Sequence, residues 1–441
     1  MITKNKMICE NLDRASDGEL TFAGVRLSTL AARYGTPLYL YDEDRIRERC
    51  RTYLTAIREN FGEGAKALYA SKAACFKRLY EIMREEGMGI DVVSSGEIYT
   101  AKRAGYPLER AYFHSNNKTD ADIVYAMDNG VGYFVVDSTD ELLAIDEIAR
   151  ERGIRQRVLL RITPGIDPHT YAAVATGKVD SKFGSAIETG QADEITALAL
   201  SLGGIELRGF HCHVGSQVFD SDVYLRAAEV MLDFVANIYR TKGYLADELD
   251  IGGGYGVRYI ESQPEIDIAA NIKEVADFMK SYAASLGIAL PAVAFESGRS
   301  IVADAGLTVY TVGSVKRIPG YKSYVSVDGG MADNPRFALY GSPYTILPVM
   351  HDLPENSDEI EICSVVGRCC ESGDIIQENV PVPRNIKRGD LIACLTTGAY
   401  HYSMASNYNR LPKPPIVMLN GGRDYVAVRR ESFEDLSAQE V

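Results

Sequence analysis

The stretch AKALYASKAACFKRLYEIMREEGMGIDVVSS, residues 65–95, contains two short apolar runs with a helical segment between them. In that segment Phe76, Tyr80 and Met83 recur at the spacing of one helix face, which predicts an amphipathic helix. Gly87 follows the helical pattern and is a typical helix stop. A strand, a helix and a second strand in this order predict one βα unit of a parallel sheet.

The same alternation continues along the chain, and each unit contributes one strand-like run. The eight runs are AKALYASK (65–72), GIDVVSS (89–95), RAYFHSN (110–116), GYFVVDS (132–138), RVLLRIT (157–163), LRGFHCHVGS (207–216), ELDIGGG (248–254) and AVAFESGR (292–299). Eight consecutive βα units match the closed (β/α)8 barrel, or TIM barrel. We therefore predict an α/β protein whose main domain, residues 46–306, is such a barrel.

The regions that flank the barrel are strand-like, and helical periodicity fades after about residue 306. Runs such as LTVYTVGSVKRI (307–318) and IVMLNGG (416–422) predict a second, mainly β domain over residues 307–441, a sandwich or barrel-like sheet. The N-terminal residues 1–45 also contain strand-like stretches, and we expect them to join that β domain.

Composition and charge exclude several functional classes. The 441 residues include 47 Lys plus Arg against 61 Asp plus Glu, a net charge of −14 that disfavours nucleic-acid binding. The sequence shows neither a signal-peptide pattern nor a run of about 20 apolar residues, so we expect a cytoplasmic protein without a membrane segment. Eight scattered cysteines lack paired zinc-like spacing, which predicts reduced thiols and no metal site.

Nearly every candidate strand ends in a polar residue or a glycine. In a barrel these ends share one face, where barrel enzymes build their active sites, although polar residues can also simply mark where strands meet solvent. The residues at these ends are Lys72, Asp91, His114, Asp137, Arg161, His213, Gly252, Gly253, Gly254, Glu296 and Arg299.

Two of these strand ends suit different chemical groups, one an aldehyde and the other a phosphate. Lys72 follows small residues at a barrel mouth and could form a Schiff base, although a lysine at a strand-to-helix turn is often merely exposed. Gly252, Gly253 and Gly254 follow the apolar ELDI, so their backbone could approach a single phosphate, while tight turns use the same residues.

Two further strand ends carry side chains that could contact an aromatic ring, and a serine follows one of them. His211 and His213 point the same way along one strand, which fits a metal pair, a ring contact by His213, or core histidines, and we expect His211 to be one. Ser216 follows at a glycine turn and suits a phosphate contact. Glu296 could pair with a pyridine nitrogen, or form a structural ion pair with Arg299.

Seven motifs occur in a fixed order along the chain: YASKA, HCHVGSQ, DIGGGYG, ESGRS, VDGGM, CESGD and GAY. Together they resemble the fold-type III pyridoxal-phosphate-dependent decarboxylases, whose fold is alanine-racemase-like, over nearly the whole chain. The segments TPGIDPHTYAAVATGKVDSKFG (163–184), CCESGDII (369–376) and GAYHYSMASNYN (398–409) are more similar to the diaminopimelate-specific branch than to ornithine or arginine decarboxylases.

The resemblance implies decarboxylation of meso-2,6-diaminopimelate to L-lysine and CO2, the last step of lysine biosynthesis. It implies that Lys72 carries pyridoxal 5'-phosphate and that Cys370 is the proton donor. The other implied cofactor-binding residues are Asp91, His213, Ser216, Gly252, Gly253, Gly254, Glu296, Gly298, Arg299 and Tyr400. The implied substrate-binding residues are Arg299, Arg336, Tyr340, Glu371 and Tyr400. Cys370 and Glu371 would enter from the partner subunit, so a homodimer with shared sites is expected.

The chain departs from the family pattern at three motifs: ESGRS replaces EPGRS, YASKAA replaces YAxKAN, and GRCCES replaces GPxCES, which adds Cys369 beside Cys370. Three other functions remain open at this point. They are decarboxylation of ornithine, lysine or arginine, an alanine-racemase-like activity, which would use a tyrosine base, and a non-catalytic cofactor-binding barrel, which would lack the long C-terminal β region.

Overall fold

The computed structural model describes residues 8–166 and 181–441. Most of the segment 163–184, which carries part of the family resemblance, lies outside the described residues. The strands are β1 (Leu12–Arg14), β2 (Leu20–Phe22), β3 (Val25–Arg26), β4 (Leu38–Asp42), β5 (Lys66–Ala70), β6 (Gly89–Val92), β7 (Ala111–Phe113), β8 (Tyr133–Val136), β9 (Gln156–Thr163), β10 (Ser185–Ala186), β11 (Ile205–His211), β12 (Glu248–Asp250), β13 (Ala292–Ser297), β14 (Gly306–Ile318), β15 (Lys322–Val327), β16 (Ile346–Pro348), β17 (Ile360–Val366), β18 (Ile375–Pro383), β19 (Leu391–Cys394), β20 (Ile416–Asn420) and β21 (Arg423–Val428).

Twelve α-helices are present in the described part of the chain, and most of the longer ones follow barrel strands. They are α1 (Leu27–Tyr34), α2 (Glu43–Phe61), α3 (Lys77–Glu86), α4 (Ser95–Arg103), α5 (Asp120–Asp128), α6 (Thr139–Glu151), α7 (Gln191–Ser201), α8 (Ser221–Lys242), α9 (Ile268–Leu286), α10 (Arg299–Val302), α11 (Arg336–Tyr340) and α12 (Phe433–Ser437).

A closed barrel of eight parallel strands is the main feature of the fold. Going around it, the strands follow the order β9, β11, β12, β13, β5, β6, β7 and β8, and pairing of β8 with β9 closes the ring. All eight strand runs predicted from the sequence are strands of this barrel, so the predicted fold class is confirmed. The predicted helix is also present as α3, which ends where Gly87 adopts a left-handed conformation, φ 85°.

The chain divides into two compact units, which we call the barrel unit and the β unit. Their described residues fall within Arg49–Gly256 and Ile266–Ser300 for the barrel unit, and within Met1–Glu48, Val257–Glu265 and Ile301–Val441 for the β unit. The contiguous boundaries expected from the sequence stay a prediction.

The β unit is built on a mixed sheet in the order β18, β17, β15, β14, β4, β20 and β21, with β19 pairing to both β14 and β16. β4, from the N-terminal part of the chain, is antiparallel to β14 and parallel to β20. Its side chains Leu38 and Leu40 are fully buried with Val309 and Val417 in one apolar cluster. Tyr39 and Tyr41 on the opposite face are buried as well, which explains why β4 reads as a continuous apolar run rather than an alternating one.

In the described part of the chain, no helix combines the length and the apolar composition needed to cross a membrane.

A fully buried ion pair fixes the loop after β7 to α6. Lys118 Nζ lies 2.8 Å from Glu141 Oε1 and also donates to the backbone oxygen of Val135 at 2.7 Å. The Lys118 side chain has no exposed surface, and burial lowers its pKa although Glu141 opposes this shift. The pair therefore ties the end of β7 to the helix that follows β8.

Replacing Glu141 by Ala should destabilise the protein strongly, because it leaves a buried ammonium without its carboxylate. Removing one member of a buried ion pair costs roughly 3–5 kcal/mol. Thermal unfolding followed by circular dichroism measures the effect. The control is Asp277→Ala, which breaks an exposed helical pair with Lys273 and should change the melting temperature little. Equal shifts for the two variants would show that the buried pair adds no more than a surface one.

Candidate active site

The carboxyl ends of the barrel strands bring most of the predicted site residues to one face. The parallel registers between neighbouring strands align these ends around the ring. Lys72 lies in a short 3-10 turn, Ser71–Ala73, directly after β5. The other predicted residues at or just beyond strand ends are Asp91, His213, Ser216, Gly252, Gly253, Gly254, Glu296, Gly298 and Arg299.

Glu296 of β13 is the buried centre of this face, with 7% of its surface exposed. His114 Nε2 lies 2.6 Å from its Oε1, and His211 Nε2 lies 3.2 Å from its Oε2. The two imidazoles contact each other edge to face, with ring centroids 4.9 Å apart. Burial opposes ionisation of Glu296, but the two histidines outweigh it and keep the pKa of this carboxyl well below its usual range.

Two other carboxyls near Glu296 shift in the opposite direction. Burial, followed by the charge of Glu296, raises the pKa of Asp250 well above its usual value. Asp250 Oδ1 accepts a hydrogen bond of 2.8 Å from the Gly252 backbone N–H. Burial raises the pKa of Asp91 to about 6, although the charges of His114 and Lys72 lower it. Of these three carboxyls, Glu296 is therefore the one that ionises at the lowest pH.

The three glycines after β12 pack so closely against neighbouring backbone that no side chain could replace them. A Cβ on Gly253 would lie 1.5 Å from the backbone oxygen of Glu296, and one on Gly254 would lie 2.1 Å from that of Gly215. Gly252 and Gly254 also have positive φ angles of 72° and 114°. Only glycine therefore permits this backbone path.

A buried cation lies beside this glycine turn. Arg299, 5% exposed, donates from Nε and from a terminal nitrogen to Ser216 Oγ, at 3.3 and 3.0 Å. Ser216 follows Gly215, the residue that Gly254 contacts. A guanidinium, a hydroxyl and a glycine backbone at one place form a donor set suited to a phosphate. Arg299 was expected to contact cofactor and substrate, and the structure places it on the side of Ser216.

His213 is a neutral imidazole at this face. Burial, together with the charges of Lys72 and Arg161, lowers its pKa well below the usual value. Its Nδ1 accepts from the Gly253 backbone N–H at 3.3 Å, so we assign the ring proton to Nε2. A neutral ring is the form suited to lie against a cationic aromatic ring, since it adds no like charge.

The remaining predicted residues lie in the β unit. Arg336 is 6% exposed, and its guanidinium lies 5.1 Å from the ring centroids of both Tyr340 and Tyr400. Its Nε has no hydrogen-bond partner in the part of the chain that the structure describes. Tyr400 itself has a positive φ of 62°, a strained conformation for a tyrosine. The structure thus brings together three of the five predicted substrate-binding residues.

Cys370 and Glu371 lie on a separate loop, between β17 and β18, and both are exposed. The Cys370 backbone N–H donates to Asn409 Oδ1 at 2.7 Å. Asp374 holds the same loop, since it accepts from the backbone N–H groups of Cys369 and Met331 at 2.7 and 2.5 Å. Asp374, the last residue of CESGD, therefore fixes the position of this loop.

Sequence patterns predicted no specific role for His114, at the end of β7, or for Asp250, and His211 was expected to be a core histidine. His211 is indeed 1% exposed, but its hydrogen bond runs to Glu296. The available signal was the common position of these three residues at or directly after strand ends; β11 itself ends at His211, two residues before His213.

Comparison with known proteins gives a consistent result. Residues 43–303 match the family model described as pyridoxal-dependent decarboxylase, pyridoxal binding domain. The chain is 41% identical to the diaminopimelate decarboxylase of Staphylococcus aureus (strain COL) over 420 residues, which cover 95% of this chain and 97% of that protein. It is also 41% identical to the diaminopimelate decarboxylase of Bacillus subtilis (strain 168), over 419 residues that cover 95% and 94% of the two chains.

Solved structures agree with the sequence relatives. The crystal structure of diaminopimelate decarboxylase from M. jannaschii in co-complex with L-lysine matches with a TM-score of 0.89 and 30% identity, covering 99% of this chain and 98% of that one. The corresponding L-lysine complex from Helicobacter pylori matches with a TM-score of 0.83 and 32% identity, covering 94% and 98%.

Proposed function

Because the chain belongs to the diaminopimelate decarboxylases, within the pyridoxal-dependent decarboxylases, we infer that it is a carboxy-lyase that converts meso-2,6-diaminopimelate to L-lysine and CO2. This reaction is the last step of lysine biosynthesis. The observation that carries the assignment to this site is the ionised Glu296 on the same barrel face as Lys72 and the glycine turn. Family membership favours this substrate over ornithine, lysine or arginine, and favours decarboxylation over racemisation or mere cofactor storage.

The residues present fit pyridoxal 5'-phosphate. An aldehyde requires a lysine, and Lys72 lies at the barrel mouth, where its charge reaches Asp91 and His213. A pyridinium nitrogen requires an anionic acceptor, which Glu296 provides. A phosphate requires donors without crowding side chains, and Ser216, Arg299 and the glycine turn meet that condition.

We propose the following roles for the residues that hold the cofactor. When bound, pyridoxal phosphate supplies the electron-withdrawing ring that stabilises the carbanion left by loss of CO2. Lys72 holds the aldehyde carbon, Glu296 accepts the pyridine N–H, and the neutral His213 lies against the ring. The remaining cofactor-binding residues hold the phosphate or line the ring, namely Asp91, Ser216, Gly252, Gly253, Gly254, Gly298, Arg299 and Tyr400.

We propose that Arg336 binds the distal carboxylate of the substrate and that Glu371 binds its distal ammonium. Arg299, Tyr340 and Tyr400 complete the substrate-binding set. Cys370 then donates its thiol proton to the carbon that has lost the carboxylate. Its exposure supports this role, because a proton donor must reach a group outside its own loop.

The direct test of function is an assay with purified enzyme and added pyridoxal phosphate. We expect CO2 and L-lysine to appear in equal amounts from meso-diaminopimelate, with ornithine, lysine and arginine turned over far more slowly. If CO2 is released faster from one of the other amino acids, that amino acid is the substrate instead of meso-diaminopimelate. Racemisation of alanine without CO2 release would contradict the decarboxylase assignment.

We also propose that the enzyme is a homodimer whose sites are shared between subunits. Cys370 and Glu371 lie exposed on a loop of the β unit, while Lys72 lies in the barrel unit, so a second chain could supply the loop. A closed dimer would then contain two equivalent sites, each with residues from both chains.

Mixing inactive Lys72→Ala with inactive Cys370→Ala should restore activity, because a hybrid dimer contains one site with both native residues. Random exchange gives hybrids as about half of all dimers, so about a quarter of wild-type activity is expected. Activity is measured before and after subunit exchange, and native mass spectrometry counts the hybrids. A mixture that contains hybrids yet stays inactive would contradict shared sites.

We propose a cytoplasmic location for the enzyme. All eight cysteines are free thiols, including the adjacent pair Cys369 and Cys370. Free thiols at this number are usual in a reducing compartment. A thiol count under denaturing conditions on protein taken from the native host should therefore find eight reduced cysteines.

A further inference from the structure

Glu296 has an unusual set of partners for a buried carboxylate. In the described residues, its ion-pair contacts within 4 Å are to the two histidines His114 and His211, and none is to a lysine or arginine. One imidazole contacts each carboxylate oxygen, from β11 on one side and from the end of β7 on the other. The carboxylate is thus held from two different strands of the barrel.

The protonation of His211 follows from its surroundings. Burial lowers the pKa of this histidine, so the ring is neutral near pH 7. Its Nδ1 has no hydrogen-bond partner in the part of the chain that is described, whereas Nε2 faces Glu296 Oε2. A buried N–H without a partner costs more than a bare lone pair, so we assign the proton to Nε2. His211 therefore donates to Glu296.

A second carboxyl near Glu296, that of Asp250, could carry the negative charge in place of Glu296. This carboxyl is fully buried, and its Oδ2 has no hydrogen-bond partner among the described residues. Burial and the charge of Glu296 both raise the pKa of Asp250, so the two acids compete for the negative charge. Donors placed on Glu296 decide which acid keeps it.

The same three side chains could also be considered as metal ligands, since their nitrogen and oxygen atoms lie within 4.8 Å of one another. The short contact argues against this. In a tetrahedral zinc site each ligand atom lies about 2.0–2.1 Å from the ion, so two ligand atoms lie about 3.3 Å from each other. His114 Nε2 and Glu296 Oε1 are only 2.6 Å apart, closer than two ligands of one ion, and the structure records this contact as an ion pair.

We propose that His114 and His211 are positioning residues that hold Glu296 as an oriented carboxylate, ready to accept the pyridine N–H of the cofactor. This inference rests on the proposed function. Each histidine occupies one carboxylate oxygen, which fixes the plane of the group and leaves the negative charge on Glu296 rather than on Asp250. Neither histidine needs to touch the cofactor.

The first test uses cofactor-free enzyme. The infrared carboxyl band of Glu296 is assigned as the band that is absent from Glu296→Gln. In native enzyme this band should show an ionised carboxylate down to about pH 4, the usual pKa of a free glutamate, or to a lower pH. In His114→Leu and His211→Leu, a protonated band that disappears on adding Glu296→Gln should be present near pH 7. A protonated Glu296 in the native enzyme above about pH 5 would overturn the proposal without any histidine variant.

The second test measures cofactor affinity. Loss of one positioning contact should weaken pyridoxal-phosphate binding about 10- to 100-fold, by analogy with the loss of residues that orient the side-chain ligands of a metal ion. In His114→Leu and His211→Leu, kcat should fall while the KM for substrate changes little. His114→Gln keeps an N–H donor and should recover most of the lost affinity. His351→Gln, at an exposed histidine, is the control and should match the native enzyme.

The outcomes separate this inference from the proposed function. Native enzyme that binds no pyridoxal phosphate would contradict the proposed function. Native enzyme that binds it, with His114→Leu and His211→Leu of unchanged affinity and unchanged Glu296 ionisation, would contradict only the positioning role. Equal defects in His114→Gln and His114→Leu, with no change in the carboxyl band, would show a merely structural role.

Discussion

Enzyme with Lys72 replaced by Ala should lose turnover by at least three orders of magnitude, and it should no longer carry a covalent cofactor. A lysine that holds the aldehyde also orients the ring before substrate arrives, and a loss of 10³-fold corresponds to about 4 kcal/mol of barrier. Lys72 is placed for this role by the turn Ser71–Ala73 at the end of β5, where its side chain is exposed at the barrel mouth.

Borohydride reduction followed by peptide mass spectrometry measures the covalent label directly. In native enzyme the cofactor mass should appear on the peptide that contains Lys72. The matched control is Lys77→Ala, which changes an exposed lysine five positions later, paired with Glu81 on α3. This variant should keep both the label and native turnover. Label on another lysine, or native turnover in Lys72→Ala, would contradict the assignment.

Sequence periodicity was sufficient to predict the barrel, because most residues of its strands are buried and most of these strands read as largely apolar runs. It was insufficient for very short strands and for a longer strand whose apolar pattern is interrupted. β10 and β16 have two and three residues, and β18, IIQENVPVP, interrupts its apolar pattern with polar residues and two prolines. These strands form because neighbours are present to pair with them, which local sequence does not encode.

The candidate site shows the same division. Lys72 and Glu296 could be proposed as functional because they end strands of a predicted barrel. The contact of Glu296 with His114 could not, since it joins β13 to the end of β7, and these strands are separated in the ring by β5 and β6. A pattern along the chain gives the strand ends, but only barrel closure determines which of them meet.

The buried guanidinium of Arg336 leads to the most specific expectation about substrate. A cation that is 6% exposed would normally have a carboxylate partner, because burying an unpaired charge is costly. Within the described residues Arg336 forms no ion pair, and its hydrogen bond to Ser342 Oγ is long at 3.5 Å. The rings of Tyr340 and Tyr400 contribute only cation–π attraction. The group is therefore arranged to receive an anion.

Arg336→Ala should lower kcat/KM for meso-diaminopimelate by roughly 30- to 4,000-fold, equal to about 2–5 kcal/mol for a charge-assisted contact in a desolvated site. Lysine and ornithine lack the distal carboxylate, so any slow release of CO2 from them should fall far less. The informative quantity is therefore the fold loss of activity on meso-diaminopimelate divided by the fold loss on lysine or ornithine. Arg336→Lys keeps the charge but loses the bidentate fork, and it should recover only part of the diaminopimelate activity. If Arg336→Ala depresses all three substrates equally, the arginine stabilises the β unit and does not select the substrate. If it leaves diaminopimelate turnover unchanged, another group binds the distal carboxylate.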